Sequence, residues 1–387
     1  MIRNWNSVPI FEVLEVADRW ERPDPGTSYR QLGVRLWGEG AYERETIDGE
    51  QTNYSSLNCC GAGDLVVNKI WARNGSVAIV PEFLAGSFVS SEFPLYTLKE
   101  NVIPNWLRLI TKSKWFWQAC DEKARGTSGK NRIRPEKFLE IEIPLPTLSE
   151  QKSICELVEA VEYRIEKCRM LRSKQDIEGD ALSISLHYQL ADRIPTKVSQ
   201  LLKLEEEKEV IEPSGSYPQV GIRSFGNGMF KKPAVSGGAT SYRAFNTLRP
   251  GMFVMSQVKG WEGAVAVCDD ELDGWFVSPE YRTFRCIEDA CDPEYLSYLV
   301  QTDWFHKQLA EATRGQGARR ERVRPEMLLE LEMPFPRIED QRRAVRVLRN
   351  LHKIKAQAAK VEVRHEALMP SLLDRIFNQH DTTGLGD

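Results

Sequence analysis

Residues 134–152, RPEKFLEIEIPLPTLSEQK, return at 324–342 as RPEMLLELEMPFPRIEDQR without a gap, and nine of the nineteen positions are identical. One copy alone would be an ordinary strand, turn and helix start. Two copies so far apart require two domains of one design. Each copy runs from a basic, glycine-bearing loop through a short apolar alternation to a Pro-x-Pro break, and then opens a long charged helix.

A length of 387 residues suits two domains, and 41% hydrophobic with 28% charged residues is the balance of a globular chain. No run reaches the roughly eighteen apolar residues of a membrane span, and the N-terminal MIRNWNSVPIFEV lacks the order of a signal peptide. A cytoplasmic location is expected. Eight cysteines, Cys59 and Cys60 among them, form no CxxC, so reduced thiols are expected rather than a disulfide framework or a zinc site. The formal charge of -4 does not by itself announce a nucleic-acid binder. Its distribution is more informative. Acidic residues gather in the proposed helices and at Glu205, Glu206, Glu207 and Glu209, while basic residues crowd two loops.

The repeat extends upstream. YRQLGVRLWGEG, with Tyr29, Gln31, Gly33, Arg35, Gly38 and Gly40, matches YPQVGIRSFGNG, with Tyr217, Gln219, Gly221, Arg223, Gly226 and Gly228, at the same spacing. A strand ending in two glycines predicts a turn with positive φ or a close backbone approach. Gly63-Asp64 then leads into LVVNKIWARNGSVAIV, and Gly251-Met252 into FVMSQVKGWEGAVAV, each predicting a β-hairpin with a decorated tip. The tips hold Asn68, Lys69, Trp71, Arg73 and Asn74 in one copy and Gln257, Lys259 and Trp261 in the other, side chains suited to base edges and phosphates. Trp115-Phe116 and Trp304-Phe305 fall at corresponding places and are expected to anchor cores.

The basic loops follow, KARGTSGKNRIRP at 123–135 and TRGQGARRERVRP at 313–325. A charge run is commonly no more than a solvated surface. Here one recurs at the same place in two repeats of a near-neutral chain, which favours phosphate or groove contact by Lys123, Arg125, Lys130, Arg132 and Arg134, and by Arg314, Arg319, Arg320, Arg322 and Arg324. Beyond each Pro-x-Pro, Thr147 and Glu150 have capping-box spacing, and Ile154, Val158, Val161, Ile165 and Cys168 follow at steps of four and three. Val347, Leu351, Ile354, Ala358, Val361, His365 and Leu368 repeat the stripe, and the tails ALSISL and ALMPSL echo each other. Two such helices are expected to pair with each other.

Catalytic chemistry is not legible. GTSGKN at 126–131 fails the spacing of a phosphate-binding loop, and GAG at 61–63 lacks the third glycine of a dinucleotide fingerprint. The five histidines form no pair at metal-ligand spacing, and Glu140 and Glu142 look like the solvated face of a strand.

Taken together, the repeated RPExxLxxxxPxP followed by EQK or DQR and a heptad helix, with the YxQxGIR-like strands, resembles the specificity subunits of type I restriction-modification systems over nearly the whole chain. The resemblance implies an α+β protein with a pseudo-twofold internal repeat: two similar target-recognition domains, 1–147 and 191–336, separated by two long antiparallel coiled-coil helices at 148–190 and 337–380. Each domain would read one half of a split double-stranded DNA target. A spacer of roughly 25 residues at 1.5 Å each gives about 35–40 Å, near one turn of DNA.

The resemblance also implies a noncatalytic chain that binds no cofactor, with S-adenosylmethionine held by two methyltransferase subunits, and with restriction or translocase subunits as further partners. Arginines and lysines of the loops would mostly hold phosphates, while Asn68, Asn74, Gln257 and Gln316 suit base edges; Lys69, Arg73 and Lys259 of the tips, with Arg35 and Arg223, would be further DNA-contacting residues. Trp71 and Trp261 would either stack or be buried in their hairpins. Ile154, Val158, Val161 and Ile165, with Leu351, Ile354, Ala358 and Val361, would pair the helices or dock partners. The same architecture in a type II or other phage-defence methyltransferase system is an alternative, as is a noncatalytic tandem scaffold that binds only proteins.

Overall fold

A computed structural model describes residues 5–124, 132–191, 195–312 and 322–377. The chain divides into two units: unit 1 is built from 1–169 and 361–387, and unit 2 from 170–360.

In unit 1 a five-stranded sheet has the order Trp20–Glu21, Leu57–Cys59, Phe88–Val89, Ser28–Val34, Ala41–Asp48. A four-stranded sheet has the order Leu14–Val16, Leu95–Leu98, Leu65–Val67, Val77–Ile79, and Asn6–Pro9 pairs antiparallel with Glu142–Leu145. Helices Pro104–Thr111, Lys114–Ala124 and Pro135–Leu139 complete it. The burial follows the chemistry of each strand. Leu65–Val67, all apolar, is buried throughout, whereas the edge strand Ala41–Asp48 exposes Glu43, Arg44 and Glu45, charges that discourage pairing with another chain.

Unit 2 repeats the design. Its five-stranded sheet has the order Glu207–Val210, Ala244–Thr247, Phe276–Val277, Ser216–Ile222, Met229–Ser236, and its four-stranded sheet Leu202–Leu204, Tyr281–Cys286, Phe253–Ser256, Val265–Val267. Thr196–Lys197 pairs with Glu332–Met333. The edge strand Met229–Ser236 carries Lys231, Lys232 and Pro233 where unit 1 carries its charges. The α+β class and the internal repeat expected from sequence are both present. Phe116 in unit 1 and Phe305 in unit 2 are buried core anchors; Trp304 is buried in the unit 2 core and Trp115 is half-buried in unit 1.

One local expectation is corrected. Glu140 and Glu142 do not share a strand: Pro135–Leu139 is a short helix whose C-terminal cap is Glu140, and only Glu142 enters the strand. Pro135 occupies the first helical position, where its missing N–H costs nothing, and the good helix formers after it outweigh the period-two pattern. Glu140 instead accepts from Lys137 and Lys123, which hold its carboxyl below the usual range.

Two long helices are central, α1 at Leu148–Leu190 and α2 at Ile338–Phe377. The capping box at the start of α1 is formed: Glu150 accepts from the Thr147 N–H at 3.0 Å, and the Glu150 N–H donates to the Thr147 hydroxyl at 3.4 Å. A Thr147→Ala chain should lose about 1 kcal/mol, read as a lower denaturation midpoint of unit 1; an unchanged midpoint would show the box to be idle.

The repeated glutamine of the EQK and DQR motifs has a structural role that is the same in both units. Gln151 is completely buried; its Oε1 accepts from the Ile103 N–H at 2.9 Å, and its Nε2 donates to the carbonyls of Asn101 (3.1 Å) and Pro146 (2.9 Å). Gln341, also completely buried, accepts from the Asp292 N–H at 2.8 Å and donates to Ala290 (2.8 Å) and Pro336 (2.7 Å). Each side chain ties the first turn of a long helix to the N-terminal cap of a short one and to the last proline of the Pro-x-Pro break.

The long helices contribute to the cores at both their ends. In unit 1, Ile154, Cys155 and Val158 of α1 join Trp106, Phe116 and Phe138, and the same cluster takes Leu373 and Phe377 from the end of α2. In unit 2 the cluster takes Ala344, Val345 and Leu348 from α2, with Ile184, Leu186 and Leu190 of α1 packed against it. Within unit 1 Arg169 of α1 pairs with Glu362 of α2 at 3.0 Å, and within unit 2 Lys355 of α2 pairs with Asp180 of α1.

Candidate nucleic-acid interface

Three segments converge in each unit. The first is the short hairpin formed by Leu65–Val67 and Val77–Ile79, whose tip is a 3-10 turn at Ala72–Asn74 ending on Gly75. Asn68 opens the tip, its Oδ1 accepting from the backbone N–H groups of Ile70 (3.1 Å) and Trp71 (3.3 Å), so that this oxygen serves the turn itself. Ser256 takes the place of Asn68 in unit 2, accepting from the Lys259 N–H at 3.2 Å.

The second segment is the descending end of the basic loop. The Ile133 N–H donates to the Lys69 carbonyl at 2.9 Å, and the Val323 N–H to the Gln257 carbonyl at 2.8 Å. Beside these bonds Arg132 pairs with Glu92 at 2.8 Å, and Arg322 with Glu280 at 3.0 Å. The loop and the hairpin tip, distant in sequence, are therefore joined at the same point in both units.

The third segment is the turn of the long hairpin. The Trp37 N–H donates to the Asn74 carbonyl (2.7 Å) and the Gly38 N–H to that of Gly75 (3.0 Å); Phe225 and Gly226 make the same bonds to Glu262 (2.8 Å) and Gly263 (3.0 Å). An aromatic ring closes the arrangement from the helix side. A Cβ on Gly75 would meet the Trp117 ring at 2.7 Å, and one on Gly263 would meet His306 at 2.7 Å, so glycine is required there by space as well as by φ. Trp117 Nε1 donates to the Thr111 carbonyl at 2.7 Å, and His306 Nε2 lies 2.8 Å from that of Val300.

In unit 1 Trp37, Trp71, Arg73, Asn74, Lys114 and Trp117 line one open groove of about 910 Å³. Trp71 is exposed there, whereas Trp261 is half-buried, donates to the Val258 carbonyl and packs against the unit 2 core. Arg35 lies over the Tyr42 ring and Arg223 over Phe230, both at 4.8 Å, so both guanidinium groups are held beside the turn. Lys123 bonds Glu140, and Lys259 is 4.0 Å from Glu262. Arg125, Lys130, Arg314, Gln316, Arg319 and Arg320 lie outside the described residues.

Of the helix-face residues, Ile154 and Val158 are spent in the core of unit 1, Ile165 is buried, and Val161, Leu351 and Ala358 are half-buried. Ile354 and Val361 are exposed. Among the described residues no group of His, Cys, Asp and Glu is placed to hold a metal ion. Burial pushes the thiols of Cys60 and Cys268 up to about 12, which keeps them protonated and unreactive at neutral pH. No described helix is long and apolar enough to cross a membrane.

The sequence had not singled out Trp37, Phe225, Lys114 or Trp117. A signal was present for the first two, an aromatic residue just before the first turn glycine in each repeat, LWG and SFG.

Each unit thus combines a five-stranded and a four-stranded sheet with one two-stranded pairing, the same design made twice. Residues 3–172 match the family model of the type I restriction modification DNA specificity domain. The chain shares its fold with the HsdS subunit from Thermoanaerobacter tengcongensis, at 19% identity over 97% of each chain and a TM-score of 0.59. It also matches a protein solved in work on complex assembly and conformational transition of the type I R-M system, at 18% identity over 96% of this chain and 97% of that one, with a TM-score of 0.66. No curated protein matches the sequence. Residues 3–172 are thus similar to the type I DNA specificity domain, and the whole chain, whose second unit has the same strand order, shares the fold of these solved structures.

Proposed function

We propose that this chain is the noncatalytic, cytoplasmic sequence reader of a type I restriction-modification complex, each unit reading one half of a bipartite DNA target. The observation that carries this reading is the convergence, made twice by the same backbone bonds, of a polar hairpin tip, an aromatic turn and the end of a basic loop. Such an edge combines side chains for base edges with charge for phosphates. The long helices set the gap between half-sites and dock methyltransferase subunits, which hold S-adenosylmethionine; restriction subunits join through these. Support for docking comes from apolar residues that the helices leave exposed, Leu157, Tyr163 and Val361 in unit 1 and Met170, Ile177 and Ile354 in unit 2.

Copurification with a methyltransferase partner, followed by genome-wide mapping of methylated sites, tests the reading. Two specified half-sites with a fixed gap are expected; methylation at a single uninterrupted motif, or none that depends on this chain, would overturn it. A second expectation concerns charge. Replacing Arg319, Arg320 and Arg322 together with alanine should weaken binding to every DNA sequence alike and flatten the slope of log affinity against log salt by about 2 to 3, with partner assembly intact. An unchanged slope would remove the basic loop from the interface.

A further inference from the structure

Trp37 and Phe225 both have φ of 59°, and among the described residues they are the only non-glycine positions with positive φ. Left-handed backbone is uncommon for a bulky aromatic side chain, and asparagine or glycine would adopt it at lower cost. The conformation is nonetheless imposed twice at the same place. The N–H of each aromatic is fixed to the tip of the short hairpin, and the glycine that follows is pressed inward. A Cβ on Gly38 would lie 2.8 Å from the Lys112 Cα, and one on Gly226 would lie 2.6 Å from the Gln301 Cα. With the glycine wedged against the helix junction, the preceding side chain is turned outward. Trp37 is 55% and Phe225 64% exposed. Neither ring is consumed by its core cluster, and each stands two positions after a held arginine, Arg35 or Arg223. Backbone held in a costly region persists where the surroundings over-determine it, and such positions cluster at ligand contacts.

We propose that Trp37 and Phe225 are wedges, each inserting its ring against the base stack of its half-site and partly unstacking one base step. The proposal rests on the DNA-reading function above and deepens it by naming the residues that meet the bases through their π-faces. Double-stranded DNA is the occupant that the surroundings favour, because each ring follows an arginine held beside the turn, Trp37 shares its groove with Arg73 and Lys114 as well as with Asp121 and Glu122, and an apolar wedge between base steps is an established means of deforming a duplex.

The test uses the full chain, copurified with its methyltransferase partner, and duplexes carrying a site recovered by the methylation mapping, with 2-aminopurine placed in turn through each half-site. For the wild-type complex, fluorescence should rise at one step in each half. Trp37→Asn and Phe225→Asn, which suit left-handed backbone, should leave the melting temperature unchanged or higher. Each should abolish the rise in its own half only and weaken binding about 10- to 100-fold, the range that loss of one base–aromatic stack implies, without altering the salt slope. Trp37→Phe should restore both signals. If the wild type binds its bipartite site but shows no fluorescence rise, or the asparagine variants bind as tightly as wild type, the wedge assignment falls and the DNA-reading function stands. If the wild type binds no DNA specifically, both fall.

Discussion

A Gln341→Leu chain is expected to lose about 3–5 kcal/mol of stability in unit 2, and Gln151→Leu the same in unit 1. The leucine fills much of the space but makes none of the three hydrogen bonds, and it strands the Asp292 N–H and the carbonyls of Ala290 and Pro336 away from full solvation. An unsatisfied buried polar group costs about 1–3 kcal/mol, so three compound to a loss comparable with the whole stability of a small domain. Amide hydrogen exchange, followed unit by unit, separates local from global effects. Protection should collapse around Pro293–Leu299 and the first turns of α2 in Gln341→Leu, with unit 1 little changed. Wild-type protection in both variants would show that the repeated glutamine is ornamental.

The second large effect is acid sensitivity of unit 2 through His187. This side chain is buried near the end of α1, with Nδ1 2.6 Å from the Tyr295 hydroxyl and Nε2 2.9 Å from the Pro334 carbonyl. A carbonyl only accepts, so Nε2 carries the proton and the Tyr295 O–H donates to Nδ1; the ring is neutral. Burial, only partly offset by the Pro334 bond, pushes its pKa down from 6.5 to about 4. Between those values the unfolded chain binds a proton that the folded chain refuses, so stability is complete above the unfolded value and is lost as pH falls toward the folded one. Burial lowers His306 in the same direction. The loss from His187 amounts to about 3 kcal/mol over that window. Denaturation midpoints between pH 7.5 and pH 4.5 check it: unit 2 should weaken steeply in the wild type and much less in His187→Gln. Equal slopes in the two chains would count against the assignment.

His187 also shows how two units of one design diverge in detail. In unit 1 the Trp106 indole donates directly to the Pro144 carbonyl at 3.0 Å. In unit 2 Tyr295 stands where Trp106 does, and His187 bridges its hydroxyl to the Pro334 carbonyl. The linked changes were invisible in sequence because the partner arrives from a different helix.

Much of the local architecture was legible. Hairpins at 65–79 and 253–267 followed from apolar runs interrupted by a polar tip, the capping box from Thr147 and Glu150, and the core rings from Phe116 and Phe305. The heptad stripe was only partly a seam. Ile154 and Val158 are buried in the core of unit 1, while Val347, Ile354, Val361 and Leu368 remain exposed, because periodicity states that a face is apolar and not what covers it. Glu140 was misplaced because a five-residue helix is too short for its period to stand out from a strand's.

The sequence by itself determined that there are two units of one design, with glycines at fixed turns and basic loops ahead of each long helix, since these rest on repeats and on residue-level conformational preferences. Tertiary structure alone decided the rest. It brought Lys69 to Ile133 and Trp37 to Asn74, buried Gln151 and Gln341, and fed the last turns of α2 into the core of unit 1. Those contacts join residues far apart along the chain, and what selects them is the satisfaction of backbone groups and the filling of a core, conditions that no local pattern records.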